Sequence, residues 1–130
     1  MLTEHDQVWF VDGNNVFGSR PDGWWNERPA AQRRFTQRVA EWCRTHGDRV
    51  TIVFDAPLDP STAELAGGNL IIVQSERRGR DAADDDIAAL AATAASARLI
   101  VVTSDRGLRR RLPHDAEVWG SGRFRDLIGY

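Results

Sequence analysis

The sequence predicts a doubly wound α/β domain around a mostly parallel sheet of four to five strands. Three observations carry that reading. Four short apolar runs recur along the chain, each β-branched or aromatic and nearly continuous, as strands buried on both faces should be. Helical periodicities lie between them, and strand–helix alternation is the signature of parallel sheets. The length of 130 residues and a hydrophobic fraction of 42% suit one compact domain over residues 1–130 and leave little room for a second.

The first run is Val8-Trp9-Phe10-Val11. A helix follows, with Ala31, Phe35, Val39, Trp42 and Cys43 at helical spacing and Arg33, Arg34, Gln37, Glu41 and Arg44 on other faces. Pro29 suits its first turn and Gly47 its end. The second and third runs are Val50 to Phe54 and Leu70 to Val73. An alanine-rich helix over 83–97 carries a narrow stripe of Ile87, Leu90, Ala91 and Ala94 that can pack closely on a sheet. The fourth run, Leu99 to Val102, leads into a short arginine-rich helix at 108–112. A fifth strand is expected around Glu117-Val118-Trp119, with a last helical turn from Phe124 to Ile128. Trp9, Phe10, Phe35, Trp42 and Phe54 are assigned to the core. In such sheets ligands bind beyond the carboxyl ends of the strands.

Composition narrows the function. All 17 basic residues are arginine, with no lysine in the chain. That excludes P-loop and Schiff-base chemistry, which need a lysine, and likewise lysine-dependent receiver domains. The net charge of −2 argues against simple coating of nucleic acid. From Arg77 onward, however, ten arginines face eight acids, so an acidic centre with a basic rim is expected. No apolar run approaches the roughly 20 residues that span a bilayer, so no membrane partner is expected. The start, Met1 to Gln7, lacks the basic and apolar regions of a signal peptide. The lone Cys43 makes neither an internal disulfide nor a cysteine zinc site. Together these lead to the expectation of a cytoplasmic protein.

Aspartates follow the strands. Asp12 ends the first run, Asp55 the second, and Asp105 comes three residues after the fourth. Parallel strands would gather all three at one edge. Asp84, Asp85 and Asp86 open the alanine-rich helix; Asp84, three residues before Ile87 and seven before Ala91, lies on the sheet-facing stripe, and Asp85 is one step round. Helix capping, about 0.3–1 kcal/mol for an acid in the first turn, or turn formation accounts for any one of these. Three strand ends and a triple aspartate together are harder to explain that way. Close carboxylates raise one another's pKa unless a cation intervenes, and oxygen-only donors favour magnesium or manganese. His5, His46 and His114 are isolated from one another, so zinc is not expected.

The ordered set Val11-Asp12-Gly13-Asn14-Asn15-Val16, Ala83-Asp84-Asp85-Asp86-Ile87 and Val102-Thr103-Ser104-Asp105 resembles the three signatures of NYN-domain nucleases of the PIN-like superfamily. The resemblance implies a Rossmann-like PIN fold and metal-dependent cleavage of RNA. It implies ligands or catalytic residues at Asp12, Asp84, Asp85 and Asp105, an Asn15 that helps hold the site, and support from Asn14 and Ser104; Asp55, at the end of the second run, is a supporting candidate by its position alone. Such domains often pair, so a homodimer is also implied, although no interface stripe is legible. One departure stands out. Where some relatives carry an acid one helical turn beyond the last motif aspartate, this chain has Arg109, which either weakens a second metal site or sets a phosphate-binding arginine beside the first.

Around these motifs, Gly13 and Gly107 read as turn glycines, and residues 15–26 as a long loop holding Trp24 and Trp25. The tryptophans either pin the loop or stack on unpaired bases, at about 1–3 kcal/mol per base. Arg77, Arg78, Arg80, Arg106 and Arg109 flank the motifs and are candidate phosphate contacts. The leading expectation is an endoribonuclease using Mg2+ or Mn2+. The alternatives are a non-catalytic nucleic-acid or protein-binding module and a small-molecule phosphohydrolase, the latter short of chain for a substrate-enclosing cap.

Overall fold

A computed structural model describes residues 7–19, 27–55, 57–75, 82–94 and 98–130. Trp24, Trp25, Arg77, Arg78 and Arg80 lie outside them. Among the described residues, five strands, β1 (Gln7–Asp12), β2 (Arg49–Phe54), β3 (Leu70–Gln74), β4 (Arg98–Val102) and β5 (Glu117–Trp119), form one sheet in the order β3-β2-β1-β4-β5. Every pairing is parallel. The helices are α1 (Gly13–Phe17), α2 (Arg28–Cys43), α3 (Pro60–Ala63), α4 (Ala82–Thr93), α5 (Arg106–Arg110) and α6 (Ser121–Ile128). Among the described residues, no helix is long and apolar enough to cross a membrane.

Side chains alternate across a strand, and here the alternation sorts the core into two layers. Trp9, Val11, Ile52, Phe54, Ile100 and Val102 pack against α1, α2 and α6 through Val16, Phe17, Ala31, Phe35, Val39, Phe124 and Ile128. Val8, Phe10, Val53, Leu99 and Val101 meet Ala83, Ile87, Ala91, Ala94 and Leu108 of α4 and α5. Asp12 continues the series Val8, Phe10 and so belongs to the α4 side. The small residues of α4 let it approach the sheet closely, as expected; Leu90 sits at the margin of that stripe, half-buried. The five aromatic residues assigned to the core are all buried. Trp9 contacts Trp42 and Trp119 edge-on, with ring centroids 5.0 and 5.2 Å apart.

Several local expectations need correction. The third run is an edge strand rather than one covered on both faces, and Ile71 is 44% exposed. Asn15, Val16 and Phe17 lie in α1 rather than in a loop. Gly13 is more than a turn residue: a Cβ there would stand 2.5 Å from the Phe54 ring and 2.9 Å from Ile52 Cγ2, so its lack of a side chain lets α1 press onto β2. The helix α2 ends at Cys43, and Gly47 lies beyond it. The short α3 adds an element to those expected, although Asp59 followed by Pro60 marks its start: the Asp59 carboxylate accepts from the Ser61 amide, and proline occupies the first turn.

Candidate active site

The site is assembled from the carboxyl end of the central strand. Asp12 is the last residue of β1, opposite Val53 of β2, and the preceding Val11 is opposite Val102 of β4. Because α1 starts at once, Asn14 and Asn15 leave β1 in different directions and fasten it to both neighbours. Asn14 Oδ1 accepts from the Asp55 amide at 3.0 Å, just past β2. Asn15 Oδ1 accepts from the Ser104 amide at 2.9 Å, past β4, and from Ser121 Oγ at 2.6 Å, at the start of α6. Ser104 Oγ in turn accepts from the Ser121 amide at 3.0 Å. The two asparagines and Ser104 are thus braces of the active edge. Among the described residues, the buried Asn14 Nδ2 has no hydrogen-bond partner, leaving one donor for whatever occupies the edge.

Asp12 is only 4% exposed. Thr103 Oγ1 donates to its Oδ2 at 3.0 Å and accepts from the Asp105 amide at 3.0 Å, so one buried hydroxyl ties Asp12 to the segment carrying Asp105. Burial, then the Asp84 charge, and to a smaller extent the Asp55 charge push the Asp12 pKa up to about 7. The Thr103 hydroxyl and the Asn15 backbone amide, both donating to the carboxylate, oppose the rise without cancelling it.

The other predicted acids are placed differently. Asp84 acts electrostatically on Asp12, as its position on the sheet-facing stripe implied. Asp105 is half-buried and caps α5, its Oδ1 accepting from the Leu108 amide at 3.0 Å. Asp85 is drawn to Arg111, with Nη1 2.8 Å from its Oδ1. Among the described residues, no three Asp, Glu, His or Cys side chains stand close enough to cage a metal on their own. The donor set still suits a hard cation, because magnesium keeps several waters and binds through one or two carboxylates. A nearly buried carboxylate strained by a second one is such a place.

Arg106 and Arg109 are exposed at this edge on α5. Arg109 Nη2 stands 4.0 Å, and Ser104 Oγ 3.7 Å, from the point a Cβ on Gly120 would occupy, which sets the guanidinium beside the β4 end. Sequence reasoning missed Thr103 and Ser121 as site residues. Thr103 had a signal, since strand alternation puts it on the Asp12 face two residues before Asp105. Ser121 had none, because it meets Asn15 across 106 residues.

Comparisons with known proteins agree with this architecture. The chain superposes on the crystal structure of Rae1 (YacP) from Bacillus subtilis with a TM-score of 0.73 and 22% identity, covering 94% of this chain and 73% of that one. A tryptophan-to-leucine mutant of the same Bacillus subtilis protein gives 0.74 and 22%, covering 95% and 75%. No curated protein matches by sequence. The model of the YacP-like NYN domain matches residues 9–124, from the central strand through the aspartate helix to α6, and the chain therefore belongs to the YacP-like NYN domain family, which has a PIN-like nuclease fold.

Proposed function

We propose that the chain is a divalent-metal-dependent endoribonuclease. The observation that carries this reading is Asp12, almost buried at the end of the central strand with its pKa pushed up to about 7 by burial and by Asp84. An apolar fold tolerates such an arrangement poorly unless a cation relieves it. Asp12 and Asp84 would hold Mg2+ or Mn2+, with Asp105 as the third carboxylate, directly or through water. Asp85 adds negative charge while held by Arg111, and Asp55 adds a further charge from the β2 side. When bound, the ion neutralises charge on the phosphodiester and acidifies the attacking water.

The chain's own groups do the rest. Thr103 Oγ1 donates to Asp12 Oδ2, so it orients the carboxylate and offsets part of the rise in its pKa that burial and Asp84 impose. Asn14 and Asn15 hold the β2 and β4 ends in place around it. Arg106 and Arg109 bring positive charge to the rim, where guanidinium groups pair with phosphate oxygens. Choice of RNA as substrate rests on the family.

A second reading, a nucleic-acid-binding module without catalysis, is favoured by the lack of a three-acid cage among the described residues. Incubation of mixed single-stranded and structured RNA with the wild type and Asp12→Asn, in manganese, magnesium or EDTA, separates the two. Metal-dependent cutting that vanishes in Asp12→Asn is the expected result. A folded wild type that leaves the RNA intact in both metals supports the second reading over the first.

A further inference from the structure

The rim of the site is not uniformly charged, and Arg106, Arg109 and Arg123 have no carboxylate partner among the described residues. Arg109 points along the end of β4, close to Ser104 and Gly120. Arg123, exposed in the first turn of α6, sits over the Trp119 ring with Cζ 3.5 Å from its centroid. By contrast Arg111 is committed to Asp85, and Arg125 Nη1 donates to the Ser19 carbonyl at 3.3 Å. Arg109 and Arg123 both stand on the β4–β5 side of the edge.

Trp119 is a fixed base for Arg123. It ends β5, its carbonyl accepts from the Thr103 amide at 2.9 Å, and its ring packs edge-on against Trp9. Stacking on an indole face immobilises a side chain that would otherwise sample many rotamers. Arg123 is exposed, so guanidinium N–H groups remain within reach of solvent, where they can pair with a phosphate. Two such groups beside a strand-end site match the repeating negative charge of a single-stranded polynucleotide. We propose that Arg109 and Arg123, the latter carried on Trp119, form a phosphate track along which single-stranded RNA leaves the aspartate site over the ends of β4 and β5. This rests on the reading of RNA as the substrate and adds the path of the strand and a contact, Arg123, outside the aspartate motifs.

The test is binding of a fluorescent single-stranded oligoribonucleotide to the full chain in EDTA, where no cleavage interferes, followed across a salt series. Removing one arginine–phosphate pairing from a single-strand complex lowers the slope of log K against log salt by about 0.7. Arg109→Ala and Arg123→Ala are each expected to lower the slope by about that amount and the double variant by about twice it. Arg123→Lys, which keeps the charge but not the planar stack, should retain the slope and bind several-fold more weakly. Arg38→Ala on α2 should match the wild type. Thermal melts establish that each variant is folded, and Arg123→Lys serves if Arg123→Ala is not. Unchanged slopes and affinities in folded Arg109 and Arg123 variants, or no binding by the wild type, overturn the track. The two readings fail separately: cutting that depends on Asp12 with arginine-independent slopes refutes only the track, whereas arginine-dependent binding without metal-dependent cutting refutes only the nuclease.

Discussion

Asp12→Asn should make the metal-free protein more stable at alkaline pH. The folded chain holds the Asp12 pKa at about 7 against an ordinary 3.8, so folding favours the protonated form. The sign follows directly. Well below pH 3.8 the carboxyl is protonated in both folded and unfolded chains and nothing is lost; as pH rises through the interval between 3.8 and about 7, the unfolded chain releases the proton first and stability falls. The interval spans about three pH units at about 1.4 kcal/mol each, so the full penalty above pH 7 approaches about 4 kcal/mol. About 1.7 kcal/mol of it is already present at pH 5, which leaves about 2.5 kcal/mol to develop by pH 8. Asparagine is neutral throughout, and its side-chain oxygen can still accept from Thr103. Urea unfolding of both proteins in EDTA at pH 5 and pH 8 reads the difference. The stability of Asp12→Asn relative to wild type should rise by about 2.5 kcal/mol between the two, and manganese at pH 8 should restore the wild type alone. An equal stability difference at both pH values would refute the claim that this carboxylate is under electrostatic strain.

Three further outcomes are expected. Thr103→Val keeps the shape but removes the donor to Asp12 and the acceptor for the Asp105 amide; urea unfolding should show a loss of about 1–3 kcal/mol, and the rising limb of the pH–rate profile should move to higher pH. Gly13→Ala brings a methyl group into the Phe54 ring and should cost about 1–3 kcal/mol by overpacking, read by the same denaturation. Arg111→Ala breaks an ion pair whose side chains are 46% and 33% exposed. Its effect on stability should stay below about 1 kcal/mol, while loss of the positive charge beside Asp85 should lower the manganese concentration needed for half-maximal thermal stabilisation.

Much of this was legible in the sequence where the signal is local. Val8 to Val11, Val50 to Phe54 and Leu99 to Val102 are apolar on both faces because they lie inside the sheet. The spacing of Ala83, Ile87, Ala91 and Ala94 marks the buried face of α4 and with it the orientation of Asp84. Other features depend on partners far along the chain. Leu70 to Val73 looks as apolar as an inner strand, and only the order of pairing makes it an edge. Gly13 looks like a turn until the Phe54 ring is brought beneath it. Asp85 reads as a ligand beside Asp84, and its ion pair with Arg111, 26 positions later, follows only from the fold. Asn14 and Asn15 belong to a recognisable motif, whereas their work as braces follows from what β2, β4 and α6 present to them.

The brace formed by Asn15 and Ser121 also links the site to the docking of the last helix. Asn15 stands at the first strand and Ser121 opens the final helix, and between them Thr103 holds the carboxylate itself. A chain whose last helix has not docked can already have its strands in register, yet its Asn15 then keeps only one of its two donors, the Ser104 amide. Full bracing of the edge therefore needs α6 as well as the sheet, so a change that loosens α6 should disturb the site even where the strands stay paired.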